Sequence, residues 1–313
     1  MIRQERPTFY FLGVTTGSSA GQKVFPRWAE HLGLNGAQLV GVDLPLQADR
    51  AAYRAFVQQI KADPLSLGAL ITSHKIDLMR AAADLFDLFT PAATLCDEIS
   101  CIYKRGGQLI ADVVEIDSFQ VALTSWLGAG YFARRRTELL CLGAGGAATA
   151  LLAYLGTVAA PADRPVTFTL VDRDPERLAH KEGLLARLPP LNFVIKLVEV
   201  GAGEPLDGLV AGLPAGSLIV NATGMGKDLP GSPLSEAVQW PLEAAVWELN
   251  YRGELLFLHQ AGRQMNTRRL QLQDGWTLFC AGWAASVGRV FDQPLLGDPF
   301  ATLCDLARTA VVR

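Results

Sequence analysis

A chain of 313 residues is too long for one small domain and fits two of ordinary size. Half of its residues are apolar, 19% are charged and the formal net charge is −3. That balance supports a sizeable buried core, argues against disorder, and gives no general attraction to nucleic acid or to an acidic membrane surface. The opening MIRQERPTFYFLG has neither the long apolar region nor the small-residue cleavage site of a signal peptide, and the five cysteines form no Cys-x-x-Cys pair. The expectation is a reduced, cytoplasmic protein.

The first block alternates short apolar runs with helical stretches. FYFLGV (9–14) reads as a strand, KVFPRWAEHLGL as a helix ended by Gly33, AQLVGVDLP as a strand, AAYRAFVQQIKA as an amphipathic helix and LGALIT as a strand. This βαβαβ rhythm predicts an α/β fold with a mainly parallel sheet covered on both faces. The rhythm restarts at residue 137, where TELLCLG and PVTFTLVD are strands separated by a helix and followed by the strands SLIVNATG and AAVWELNY. The tail from about 283 to 312 is helical in pattern. Two domains follow: residues 1–122 with 284–313 as an N-terminal α/β substrate domain, and 123–283 as a Rossmann-type dinucleotide-binding domain.

LLCLGAGGAATALLAYLG (139–156) is apolar enough to raise the question of a membrane span. Gly143, Gly145 and Gly146 fall where a spanning helix of roughly 20 residues would need to be strongest, so strand, tight turn and helix fit better. Glycine there lets a phosphate approach the backbone, and the turn delivers free N–H groups at a helix N-terminus, with Ala147 in the first helical turn. G-x-G-G-A turns also serve packing alone. The next strand ends at Asp172, within the range where dinucleotide folds read the adenosine ribose. A carboxylate there accepts bonds from both ribose hydroxyls of NAD and repels the 2′-phosphate of NADP. Arg173 could pair with that phosphate, with Asp174 partly cancelling the attraction. NAD is favoured and NADP stays open. The alternative for Asp172 is a cap on the helix beginning at Pro175.

Together these residues resemble the shikimate and quinate dehydrogenase family, in one order along nearly the whole chain. GALITSHK (68–75) is similar to that family's G-x-N-V-T-x-P-x-K element, one residue shorter; VVEID (113–117) sits where the family has N-T-D; GAGGAA (143–148) matches its dinucleotide turn. NATGMG (221–226) matches the N-A-T-x-x-G loop beside the nicotinamide ribose, and ELNYRGELLFLHQA (248–261) resembles D-x-x-Y-x-P-x-x-T-x-L-x-x-A with Tyr251 retained.

The resemblance implies that Lys75 and Asp117 are a catalytic pair, since oxidising a secondary alcohol requires a proton to leave oxygen as hydride leaves carbon. Taken alone, Lys75 is equally a solvated lysine at a helix start and Asp117 an N-cap before SFQVAL. A neighbouring carboxylate favours the ammonium, so Lys75 is expected to act as a cationic donor in ketone reduction. Asn221, Thr223 and Met225 would lie near the nicotinamide; the first two are alternatively turn formers. Substrate contacts are expected from Ser18, Ser19, Thr72, Ser100 and Tyr251. Ser18 and Ser19 either hold a substrate carboxylate or merely form a turn after the first strand.

The chain departs from the family in its recognition shell. Leu70, Ser100 and Glu115 stand where the family has asparagines, and Gly282 where it has a glutamine. Each polar group left without a partner loses roughly 1–3 kcal/mol, so shikimate itself is expected to bind poorly. The expected activity is hydride transfer between a nicotinamide cofactor and the secondary alcohol of a small cyclic hydroxy acid, shikimate-like, quinate-like or amino-substituted. A non-catalytic NAD or metabolite sensor is the alternative. None of the four histidines has metal-ligand spacing; His74 either borders the site or faces solvent, and Trp276 and Trp283 are expected at the domain interface. No nucleic-acid, membrane or metal partner is expected, and the oligomeric state is not legible.

Overall fold

In the computed structural model, which describes residues 3–34, 36–201, 203–226 and 229–311, the chain divides into two units. One comprises Met1–Ser118 and Cys280–Arg313, the other Phe119–Phe279.

The first unit runs β1 (Thr8–Gly13), α1 (Gly21–His31), β2 (Gln38–Asp43), α2 (Arg50–Ala62), β3 (Ser66–Ile71), α3 (Lys75–Ala82), β4 (Leu88–Phe89), α4 (Pro91–Cys96), β5 (Cys101–Arg105) and β6 (Gln108–Asp112). Helix α5 (Glu115–Leu127) then carries the chain into the second unit. Sheet order is β2-β1-β3-β5-β6-β4. β2, β1 and β3 are parallel, as the βαβ rhythm predicts, whereas β5 pairs antiparallel with both β3 and β6. The reversal follows from the two-residue turn at Gly106 and Gly107, both at positive φ, which leaves no room for a crossover. Tyr53, Phe56, Val57 and Ile60 recur at helical spacing and place one face of α2 on the sheet beside Leu12, Ile71 and Leu78.

The second unit continues with α6 (Tyr131–Arg135), β7 (Leu139–Leu142), α7 (Gly146–Thr157), β8 (Thr167–Asp172), α8 (Pro175–Arg187), β9 (Val194–Glu199), α9 (Asp207–Ala211), β10 (Leu218–Asn221), β11 (Ala245–Glu248), α10 (Leu256–Arg268) and β12 (Gln271–Gln273). Its six strands, in the order β12-β11-β10-β7-β8-β9, are all parallel. The order reverses direction between β7 and β10, the switch point at whose C-terminal strand ends ligands sit in doubly wound sheets. Helix α7 is buried continuously from Ala148 to Gly156, which explains why its sequence is apolar all round without spanning a lipid bilayer. Among the described residues, no helix is long and apolar enough to cross a membrane. Helices α11 (Trp276–Phe291) and α12 (Pro299–Val311) return the chain to the first unit, where the Trp28 indole N–H of α1 donates to the Leu303 carbonyl of α12 at 2.9 Å.

Each of the two tryptophans expected at a domain interface has ring contacts within its own unit. Trp283 stacks edge-on against Phe9 and Phe11 and fills the space a side chain at Gly21 would need, whereas Trp276 joins Tyr251 and Phe279. Large rings beside small residues maximise buried apolar area locally.

Candidate active site and cofactor cradle

In the first unit the loops following β1 and β3 are tied together, because the N–H and hydroxyl of Thr72 both donate to the Leu12 carbonyl, at 3.0 and 3.2 Å. Three residues later Lys75 opens α3. A cation at a helix start opposes the helix dipole, and two carboxylates offset it. Lys75 Nζ donates to Glu115 Oε1, both side chains being largely buried. The second carboxylate, Glu98, is 2% exposed, and the N–H of the following residue, Ile99, donates to the Lys75 carbonyl at 3.2 Å. Burial acts to lower the lysine pKa and is the largest single influence. The attraction of Glu115 and Glu98 outweighs it, and the ammonium is held above the ordinary lysine value.

Asp117, expected beside Lys75, pairs elsewhere: Arg289 of α11 donates to it at 2.9 Å and to Asp112 at 2.9 Å. The reason is helical phase. Glu115 and Asp117 both lie in the first turn of α5, two residues and about 200° apart, so they face opposite ways and only one can meet the lysine. Burial raises the Asp117 pKa against the opposing pull of Arg289.

The other expected substrate contacts divide. Thr72 is exposed at the end of β3. Ser18 donates to the Thr15 carbonyl and Ser19 Oγ accepts the Gly21 N–H, so both serve the turn after β1. Ser100 is fully buried and its Oγ accepts the Val114 N–H at 3.1 Å, which makes it a strand-joining residue. Leu70 is buried in β3, and a Cβ at Gly282 would make ordinary contact with Ser118 Oγ at 3.9 Å, so a methyl fits there without a clash. His74 is fully buried with Nδ1 at 2.9 Å from the Tyr53 hydroxyl, so it does not face solvent. Tyr251 belongs to the second unit, its ring 4.3 Å from that of Phe279.

In the second unit β7 delivers the chain into Gly143, whose φ of +99° and whose hypothetical Cβ, 2.7 Å from the Ala222 carbonyl oxygen, admit glycine only. Gly145 caps α7 in extended conformation and no atom lies within 4 Å of where its Cβ would stand. This open face, set against the unpaired N–H groups that begin any helix, is the shape a pyrophosphate requires, so the residues present fit a dinucleotide.

Asp172 ends β8, accepts the Ala144 N–H at 2.7 Å and the Asp174 N–H at 3.0 Å, and is 8% exposed. It braces the glycine turn. The cap of α8 is Asp174, which accepts the Glu176 N–H, and not Asp172. Arg173 is exposed, and Arg177 lies 3.8 Å from Asp172 and 3.4 Å from Asp174.

Opposite the glycine turn, Asn221 ends β10 and leads into loop 221–226. Its Oδ1 accepts both the N–H and the hydroxyl of Thr223, whose Oγ1 accepts the Met225 N–H. Its Nδ2 donates at 2.6 Å to Glu248 Oε2, a fully buried carboxyl at the end of β11 whose pKa burial pushes up to about 7. The sequence singled out the loop but gave no role to Glu248, although it opens the stretch ELNYRGELLFLHQA at the position where the resembling family has an acid.

The fold and these sites define the class: a two-unit α/β protein whose second unit is Rossmann-type. No protein-family model matches the chain. The shikimate dehydrogenase (NADP(+)) of Methylobacterium radiotolerans is 27% identical over 248 residues, covering 78% of this chain and 78% of that protein. Among solved structures, the shikimate dehydrogenase of Aquifex aeolicus matches 100% of both chains with a TM-score of 0.72 at 16% identity. The shikimate 5-dehydrogenase of Thermus thermophilus, in complex with NADP(H) and shikimate, covers 97% of this chain and 99% of that one, with a TM-score of 0.68 at 23% identity. The chain is shikimate dehydrogenase-like in sequence and in fold.

Proposed function

We propose that this protein is a nicotinamide-dependent dehydrogenase that interconverts a secondary alcohol and a ketone on a small cyclic hydroxy acid of the shikimate and quinate kind. The observation that carries this reading is the buried Lys75–Glu115 pair at the C-terminal end of a parallel strand, in a chain that also presents a glycine turn open at Gly145. When bound, the cofactor supplies or accepts the hydride. Gly143, Gly145, Gly146 and Ala147 would hold its pyrophosphate, and Asn221, Thr223 and Met225 its nicotinamide end.

Lys75 holds the proton. Its ammonium donates to the substrate oxygen as that oxygen gains charge during reduction, and accepts the proton back in alcohol oxidation. Glu115 orients the ammonium and keeps it charged, so the acid of the N-T-D-like element is Glu115, two residues before Asp117. A non-catalytic sensor would leave this buried pair without a task.

NADP is the cofactor we propose, against the preference for NAD drawn from Asp172 in the sequence. The Asp172 carboxylate is committed to backbone N–H groups, and the exposed Arg173 is a cation beside it for a 2′-phosphate, whereas Arg177 is paired with Asp172 and Asp174 and would have to leave them to join it. The curated relative named for NADP(+) supports the same choice.

Leucine at position 70, the committed hydroxyl of Ser100 and the missing side chain at Gly282 support a substrate other than shikimate itself, either more bulky or amino-substituted. A panel of shikimate, quinate, their amino analogues and simpler hydroxy acids, each with NADP and NAD, tests the reading. Turnover with a cyclic member and NADP is expected, and no turnover with any member of the panel would overturn it.

A further inference from the structure

Loop 221–226 is held from beneath by one buried acid. Glu248 Oε2 accepts from Asn221 Nδ2 at 2.6 Å, and Oε1 accepts the Asn250 N–H at 2.9 Å. Asn250 in turn donates through Nδ2 to the Met225 carbonyl at 3.0 Å. The carboxyl therefore grips both ends of the loop, Asn221 directly and Met225 through Asn250. Both oxygens accept and neither donates, so the bonding pattern is that of a carboxylate. Protonation would remove the negative charge that strengthens both accepted bonds and would make one oxygen a poorer acceptor, so the grip on one arm weakens. Of the charged residues on neighbouring segments, Glu254 reaches the loop only through its N–H to the Gly226 carbonyl, and Asp274 reaches β11 only through its carbonyl, which accepts the Trp247 indole N–H. Among the described residues no cation is ion-paired with Glu248.

We propose that Glu248 is a positioning residue that, as the carboxylate, fixes loop 221–226 for the nicotinamide end of the cofactor, so that its ionisation governs affinity for that end alone. The inference rests on the dehydrogenase reading only in assigning the nicotinamide to this loop. The adenosine end belongs to the glycine turn and the end of β8, which Glu248 does not touch. Because the carboxyl of the free protein titrates at about 7, binding of the nicotinamide end releases a proton across that range and tightens as pH rises.

The test compares NADP+ with 2′-phospho-ADP-ribose, which lacks only the nicotinamide, by calorimetric titration of the whole protein between pH 5.5 and 8.5. The 2′-phosphate is common to both probes, so its own titration cancels in the ratio of their dissociation constants. In the wild type that ratio is expected to shift in favour of NADP+ with a midpoint near pH 7. In Glu248→Gln the shift is expected to vanish and NADP+ to weaken about tenfold, the equivalent of one lost hydrogen bond, with the fragment unchanged. Asn250→Ala, which removes only the Met225 arm, should weaken NADP+ in the same selective way and keep the pH dependence. This holds the inference open to refutation even if the glutamine variant folds poorly. A pH-independent ratio in the wild type, or equal weakening of both probes in the variants, would overturn it while leaving the cofactor reading intact. A wild type that binds neither probe would overturn both.

Discussion

At Lys75 the sequence and the structure make different demands on the neighbouring acids, and two substitutions separate them. Lys75→Ala should lower turnover about 10²- to 10⁴-fold, the usual contribution of a positioned proton donor, with NADP+ affinity unchanged. Full activity in that variant would remove the lysine from the mechanism. Asp117→Asn should leave turnover close to wild type, because Asp117 is paired with Arg289, and its exposed ion pair contributes about 1 kcal/mol or less to stability. Glu115→Gln should instead lose most of the activity and up to about 3 kcal/mol of stability, by leaving a largely buried ammonium with Glu98 alone to offset its charge. The reverse ranking of the two acid variants, read from steady-state kinetics and urea unfolding, would restore Asp117 as the catalytic acid. The sequence displayed both carboxylates and the lysine. It did not display the phase of α5, set by tertiary packing of Phe119 and Ala122, and a two-residue error of register turns a side chain to the opposite face.

Among the elements, the strand–turn–helix of β7 and α7 was legible because three glycines inside an apolar run admit few other structures. The parallel order of the second sheet followed from the alternation of strands and helices. The antiparallel β5–β6 hairpin was not foreseen, since CIYKR and QLIAD show too little alternation to fix a direction for their pairing. The bracing role of Glu248 escaped for a related reason: the residue matched the acid that opens the D-x-x-Y element, but a four-residue buried strand has no periodicity that separates a structural acid from a surface one. Within the turn, Gly143 and Gly145 carry different requirements and predict different failures. Gly143→Ala places a methyl 2.7 Å from a backbone carbonyl at a positive φ and should destabilise the second unit by about 2 kcal/mol or more. Gly145 has a negative φ and open space around it, so Gly145→Ala should leave the melting temperature unchanged. Its methyl would stand in the pyrophosphate position and weaken NADP+ and 2′-phospho-ADP-ribose alike. If Gly145→Ala bound both normally, the open face would not be a phosphate cradle.

For the molecule as a whole, titrating groups are distributed so that the two units respond to pH in opposite directions. In the first unit several carboxyls lie below their ordinary values: Asp43 is held down by the hydroxyl and N–H of Thr16, Asp84 by Arg54, and Asp87 by the Leu109 N–H and Lys61. Their contribution is present above the unfolded carboxylate range and lost on acidification; Asp117, raised by burial, works the other way. Lys75 adds stability that persists below the unfolded lysine value of about 10.4 and is lost as pH rises through its higher folded value. In the second unit Glu248 has the opposite sign. Between about 4.3, its value in an unfolded chain, and about 7, its value when folded, the native state keeps a proton that the unfolded state has released. The unfolded state binds fewer protons, so stability falls as pH rises through that window, by up to about 4 kcal/mol at 1.36 kcal/mol per pH unit. Peptide-resolved hydrogen exchange, corrected for the intrinsic pH dependence of amide exchange, should show β10 and β11 losing protection between pH 5 and pH 8 while β1 and β3 do not. Glu248→Gln should remove that slope whatever it does to absolute stability. Parallel behaviour of the two units, or an unchanged slope in the variant, would show that the buried acid does not set the pH response of the second unit.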